Sequence, residues 1–218
     1  MKKFILLFVL AFSAACDKDS APESLTLQDD GCINRIVIPV TSQGALSDSD
    51  FSLVNHLFSA NGINFQNFRF SRTYRDSAHF INGSFDYRSV YIIQYTNGLP
   101  IFFESLNYLF RDGVFDSFTG NLTHGTSLDT IPTLKLSRLR KLFIDDIQKF
   151  DHQGILYEDS CVHAEFGYYD LNKGVPNTNE KLVKAWHLTL ARSVYPQAVY
   201  QDNAGQRIYY DNGFVSFH

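Results

Sequence analysis

The sequence predicts an α+β protein made of two units, each a helix laid on an antiparallel sheet. Two stretches carry apolar residues at helical spacing behind a serine suited to cap a helix. Each is followed by short apolar runs separated by turn signals, the pattern of an antiparallel meander. The chain also holds 20 Phe and 12 Tyr, a composition that favours sheets and aromatic cores. A helix held on one face of such a sheet buries the apolar surface of both.

The chain opens with Met1-Lys2-Lys3, a short cationic region, then an apolar run from Phe4 to Phe12. That run is too short to cross a bilayer as a stable helix and reads as part of a targeting segment. Ser13-Ala14-Ala15 precede Cys16, and small residues before a Cys resemble a lipobox, with Ser13 where Leu is commonest. The expectation is a lipoprotein signal peptide over 1–15 and lipidation of Cys16. The alternative is an ordinary secretory signal with an Ala cleavage site. Removing 1–15 takes away Lys2 and Lys3 and moves the formal charge from −4 to −6. A diacylglycerol plus an N-acyl chain would supply the several chains that stable anchoring needs.

Residues 16–32 read as a lipidated tether, since Asp17 to Ser24 is polar and without periodicity. Charges directly after Cys16 resemble the surface-export signal of Bacteroidetes lipoproteins. Asp17 alone resembles the inner-membrane retention signal of some proteobacteria. The outer membrane is the expected location. Two further thiols, Cys32 and Cys161, remain. In an oxidising compartment they pair or stay as two buried free thiols, and both readings stand.

Residues 33–122 form the first expected unit. Ile33 to Val40 is a short apolar stretch. Ser47 with Asp50 three residues on predicts a capped helix start. Phe51, Val54, Leu57 and Phe58 form its stripe, and Asn61-Gly62 its stop. Phe65, Phe68, Phe70 and Tyr74 follow with strand-like spacing. Arg88 to Tyr95 is a strand by composition. Asn97-Gly98 is a strong two-residue hairpin signal. Leu99 to Phe110 returns, Arg111-Asp112-Gly113 turns, and Val114 to Phe118 returns again.

Residues 123–132 read as a linker, and 133–218 as the second unit. Ser137 is the expected cap of a helix whose stripe is Leu139, Leu142, Phe143, Ile147 and Phe150, with Gly154 ending it. Strands are expected near Ile155–Tyr157, Val162–Asp170, Leu182–Ala191, Ala198–Gln201 and Gln206–Tyr210. Asp202 to Gly205 supplies a tight turn.

Mild acidity, with no basic stripe, excludes nucleic acid as a partner. The sequence has no His-Glu-x-x-His, Gly-x-Ser-x-Gly, P-loop or Cys-x-x-Cys, so neither catalytic residues nor a cofactor are expected. His163 and Glu165 share one face of a strand. That pair fits a metal site less well than the solvated face of a half-buried strand. The series Arg69, Arg72 and Arg75 suits an anion, although surface arginines paired with local acids are the commoner arrangement. Trp186 reads as a core anchor before a ligand-stacking residue. Asn82-Gly83-Ser84 and Asn121-Leu122-Thr123 fit the Asn-glycosylation pattern. Asp76-Ser77-Ala78 and Asp129-Thr130-Ile131 resemble an O-glycosylation motif of Bacteroidetes envelope proteins.

The segment Tyr91-Ile92-Ile93-Gln94-Tyr95-Thr96-Asn97-Gly98-Leu99-Pro100-Ile101-Phe102 resembles the centre of the fungalysin/thermolysin propeptide family. Asp112-Gly113-Val114 and Ser117 to Leu122 continue that pattern, so the resemblance spans roughly 47–122. Leu182 to Leu188 and Tyr200 to Ile208 resemble the central strand and closing hairpin of a PepSY module. The resemblance implies two cystatin-like or PepSY-like units. In secreted proteases these modules chaperone and inhibit the attached enzyme, but no zinc-protease motif occurs in this chain. The implied function is a non-catalytic, lipid-anchored binding protein with a protein partner, an inhibitor or chaperone acting in trans on a secreted protease. The alternative is a small-molecule or glycan binder using an aromatic-rich sheet.

Overall fold

The computed structural model describes residues 32–80, 83–151, 160–175 and 178–217. Their elements run β1 (Ile33–Ile36), α1 (Asp48–Ala60), β2 (Phe68–Phe80), β3 (Gly83–Thr96), β4 (Leu99–Arg111), β5 (Val114–Thr119), α2 (Leu136–Asp151), β6 (Val162–Asp170), β7 (Leu182–Leu190), β8 (Gln197–Gln201), β9 (Arg207–Asp211) and β10 (Ser216–Phe217). The protein is α+β and mostly sheet. The strand order is β10-β9-β8-β7-β6-β4-β3-β2, with β5 on β4 and β1 on β6.

Local chemistry explains the boundaries. Ser47 accepts the Asp50 N–H at 3.1 Å, which caps α1. Gly62, at φ 67, follows the helix end. Asn97 and Gly98 have φ 50 and 77, and Asp112 and Gly113 have φ 50 and 82. Both pairs have the positive φ that a primed hairpin turn requires. The expected second helix is present, but Ser137 is not its cap. The helix begins at Leu136, and the Lys135 carbonyl accepts the Leu139 N–H. Gly154 and the strand expected near Ile155–Tyr157 lie outside the described residues.

Two apolar clusters lie under the helices. Val54, Leu57 and Phe58 of α1 pack on Phe70, Val90, Ile92, Leu106, Tyr108 and Phe110. Leu139, Phe143, Ile144 and Ile147 of α2 pack on Val162, Ala164, Phe166, Trp186, Leu188 and Tyr200. Leu142 and Phe150 lie at the margin of the second cluster. β1, read with the first half of the chain, pairs in parallel with β6 and places Ile33 in the second cluster.

The 123–132 segment is fastened on both sides. Gln94 exchanges two hydrogen bonds with the Thr123 backbone, at 2.6 and 2.9 Å. Asn97 Nδ2 donates to the Thr126 and Leu128 carbonyls. Tyr168 Oη donates to the Leu128 and Asp129 carbonyls, and Lys184 pairs with Asp129 at 3.0 Å. Asp202, fully buried, then accepts the Thr133 and Leu134 N–H groups. A polar sequence thus runs across the surface as a strap whose backbone groups are satisfied by side chains.

Candidate functional site

The helix-free face of the sheet carries the site, and β4 builds it. Ile93 pairs with Ser105 and Tyr95 with Pro100, so Ile101 to Glu104 stand opposite Gln94 alone. This wide bulge turns β4 from β3 toward β6, where Ile101 pairs with Tyr168. Phe103 sits at φ 62, an uncommon conformation for a bulky residue and one that stores strain. The crossing needs Gly167 beneath it. A Cβ there would stand 2.5 Å from the Pro100 carbonyl oxygen and 2.8 Å from the Phe102 ring.

The bulge drops two rings onto the second half of the sheet. Phe103 meets Tyr209 at 4.7 Å and His187 at 5.2 Å, and Phe102 meets His187 at 5.4 Å. Phe102, Tyr169, Ala185 and Val199 form a third buried cluster there. Burial lowers the His187 pKa, against an opposing hydrogen bond with Gln197. The imidazole therefore stays neutral among these rings.

Beside this cluster opens a cavity of about 640 Å³. Tyr91, Phe103, Tyr169 and Tyr209 give it aromatic walls, and Arg72, Glu104 and Lys173 give it charge. The Arg72 guanidinium lies 4.3 Å from the Tyr91 ring centre and 5.6 Å from that of Tyr74, which is cation–π geometry. Lys173 Nζ lies 5.3 Å from the Phe103 ring and donates to the Phe103 carbonyl. Burial pushes the Glu104 carboxyl up while Lys173 pulls it down. Burial also lowers Lys173, against the pull of Glu104 and Asp170. Rings, hydroxyls and a balanced charge pair can stack on and orient a bound molecule.

A second cavity, about 540 Å³, adjoins through Glu104 and is lined by His124, Asp170 and Glu180 among others. Asp170 is committed to its own turn, accepting the Asn172 and Lys181 N–H groups. Among the described residues, no group of three or more His, Cys, Asp and Glu is placed to hold a metal ion.

The residues singled out in the sequence scatter. Cys32 and Cys161 are joined in a disulfide with a Cα–Cα distance of 4.6 Å. His163 and Glu165 lie on the helix-free face, but Glu165 is not solvated. It is 7% exposed and stands 4.0 Å from Arg69, which is itself 8% exposed. Burial pushes the Glu165 carboxyl up to about 7, with Arg69 opposing. Arg69, Arg72 and Arg75 do not form one anion site. The register shift between Phe70 and Arg72 sets Arg72 on the face of Arg69, opposite Tyr91 and Ile93, whereas Arg75 pairs with Arg88 and faces the other way. Arg69 goes inward over Tyr95, Arg72 to the cavity and Arg75 to Asp86. Trp186 is 1% exposed and donates to Asp202 at 2.8 Å; it is a core residue. Ser77 and Thr130 are exposed, whereas Thr123 is buried. Cys16 and Asn82 lie outside the described residues.

Sequence reading missed Phe103, Glu104, Tyr169, Lys173 and Tyr209. The signal for the first two was local: Ile101-Phe102-Phe103 breaks the alternation a regular strand keeps. No local signal marks the others, which meet only through the crossing of β4. No family model, no curated protein and no solved structure matches the chain.

Proposed function

We propose that the protein is a lipid-anchored, non-catalytic envelope protein that binds its ligand in the aromatic cavity of the helix-free face. The anchor is the acylated Cys16, and the outer membrane is the location. The carrying observation is the cavity between Tyr91, Phe103, Tyr169 and Tyr209, with Arg72 stacked on Tyr91 at its edge. Its concave shape and aromatic walls suit a small molecule or glycan, because flat rings match the apolar face of a sugar. Strain at Phe103 supports a binding role, since backbone outliers cluster at ligand sites.

A second reading makes the protein an inhibitor or chaperone of a secreted protease in trans. It rests on the resemblance to thermolysin-type propeptides and PepSY modules, with residues 33–122 and 133–218 as two cystatin-like units. The observation that favours it is the helix-then-meander order of both halves. Fold-level analogy is the weaker warrant of the two.

Glycan-array and metabolite screening of the purified chain, repeated with Tyr91→Ala, decides between them. Saccharide or small-molecule hits that the variant loses, with its circular dichroism unchanged, are the expected result. Binding that ignores Tyr91 would sink the cavity. Capture and inhibition of an envelope protease, with no small ligand, would establish the second reading.

A further inference from the structure

Four large apolar side chains are left in water at one end of the second half. Val194 is 73% exposed and Tyr195 43%, in the loop between β7 and β8. Phe214 is 94% exposed and Val215 53%, in the turn after β9. The two loops are neighbours, because Gln197 pairs with Asp211 and a Cβ on Gly213 would lie 3.2 Å from the Tyr195 ring. Tight turns here hold the rings outward: Asn212 Oδ1 accepts the Phe214 and Val215 N–H groups, and Ser193 donates to the Tyr195 carbonyl.

The same end is where the N-terminal segment joins the sheet. The Cys161 carbonyl accepts the Ala191 N–H at the base of the first loop, and Cys161 is bonded to Cys32. The sixteen residues from Cys16 to Gly31 can span at most about 55 Å at full extension. An acyl chain on Cys16 therefore confines this end of the sheet to the neighbourhood of the bilayer. Arg192 is exposed. Asp151 accepts from Tyr210 and Asn212, and Asp211 from Tyr209 and the Gly213 N–H.

We propose that Val194, Tyr195, Phe214 and Val215 form a second, non-covalent contact with the lipid surface, seating the protein end-on at the membrane. The inference rests on the anchoring proposed above. Aromatic side chains with a polar tip favour the headgroup level, and one confined by a tether docks at high effective concentration. Docked this way, the Tyr169 wall of the cavity is held away from the bilayer, while Tyr209 lies two residues from Asp211 at the docked end. Tyr169 stands seven residues along β6 from Val162, about 23 Å at strand rise.

Depth-dependent quenching tests this. The chain beginning at Cys16 is coupled through that thiol to a maleimide lipid in phosphatidylethanolamine–phosphatidylglycerol vesicles, with or without brominated acyl chains. Tryptophan is placed by Phe214→Trp, or by Val175→Trp in the exposed loop at the opposite end of β6. Buried Trp186 is common to both as a constant background. Loss of emission for Phe214→Trp in brominated vesicles, with Val175→Trp unchanged, is the expected result. Equal quenching at both positions, or none at either, overturns the docking surface. The intact mass of the membrane-extracted native chain separately reports acylation. An unacylated Cys16 would remove the anchoring reading, while the vesicle result still decides the surface.

Discussion

Phe58, at the centre of the first helix-covered core, meets Phe65, Phe70, Tyr108 and Phe110 at 5.8, 5.1, 5.0 and 5.4 Å between ring centres. Trp186, its counterpart in the second core, donates to the buried Asp202. Around it, Tyr200 Oη donates to Asp146 at 2.7 Å and Tyr210 Oη to Asp151. One core is held by ring packing, which is broad in direction and depends on buried area. The other adds charge-assisted hydrogen bonds, which fix distance and angle and are costly to leave half made. Similar helix-on-sheet geometry therefore rests on two kinds of specificity, and substitutions in each core should separate them.

The largest difference is expected between Trp186→Ala and Phe58→Leu. Removing Trp186 should cost about 3–5 kcal/mol, the range for a large aromatic deleted from a core. It also strips one donor from Asp202. Phe58→Leu should cost only about 1–1.5 kcal/mol, because neighbouring rings can close on a slightly smaller apolar group. Urea denaturation of both variants measures this. Equal losses would mean that the aromatic core is as exacting as the polar one. Native emission from Trp186 should be blue-shifted and resist iodide.

Asp202→Asn is expected to come next, at about 2–3 kcal/mol, since the amide cannot serve every buried donor that the carboxylate serves. Burial pushes Asp202 up, but hydrogen bonds from Leu134, Thr133 and Trp186 outweigh it and hold the group below the ordinary carboxylate value. The folded pKa is depressed, so its stabilisation is complete above the unfolded value of about 4 and is lost as pH falls through the folded one. Acid titration of the melting temperature should show this loss in the native chain and not in Asp202→Asn. A variant that titrates like the native chain would remove Asp202 from the account.

The smallest effect has the opposite sign. Glu165 is raised to about 7, above an unfolded value of about 4.3. The native state therefore binds the extra proton, and stability should rise as pH falls from 8 toward 5. Glu165→Gln should flatten that slope and stabilise the chain at pH 8 by on the order of 1 kcal/mol, offset because Arg69 loses its counter-charge. Differential scanning fluorimetry across this range checks it. A slope unchanged in the variant would mean that another group titrates.

Both helices, the Asn97-Gly98 hairpin and most strands were legible because their signals are local: caps, turn residues and spacing. Trp186 and His187 do face opposite ways, as alternation requires. What alternation could not reveal is that the face of His187 is also covered, by rings that β4 carries across the sheet. Ser137 was misplaced as a cap because a serine two residues inside a helix looks like one at its start. The cavity was illegible for a related reason. Tyr169 and Tyr209 read as ordinary strand residues, and only the bulge at Ile101–Glu104 joins them to Tyr91. A four-residue excursion opposite one Gln leaves no pattern beyond a lapse in alternation.

The bond between Cys32 and Cys161 also decides how the molecule carries load. A pull on the N-terminal segment would otherwise fall on β1, a four-residue strand held to β6 by parallel pairing. Because Cys32 directly precedes that strand, the tension passes through sulfur into β6, whose neighbours on either side share it. A load at the Tyr169 end of β6 would then act along the strands between the two ends, in shear. The hydrogen bonds of a sheet loaded that way resist together, whereas a peeled edge yields one at a time.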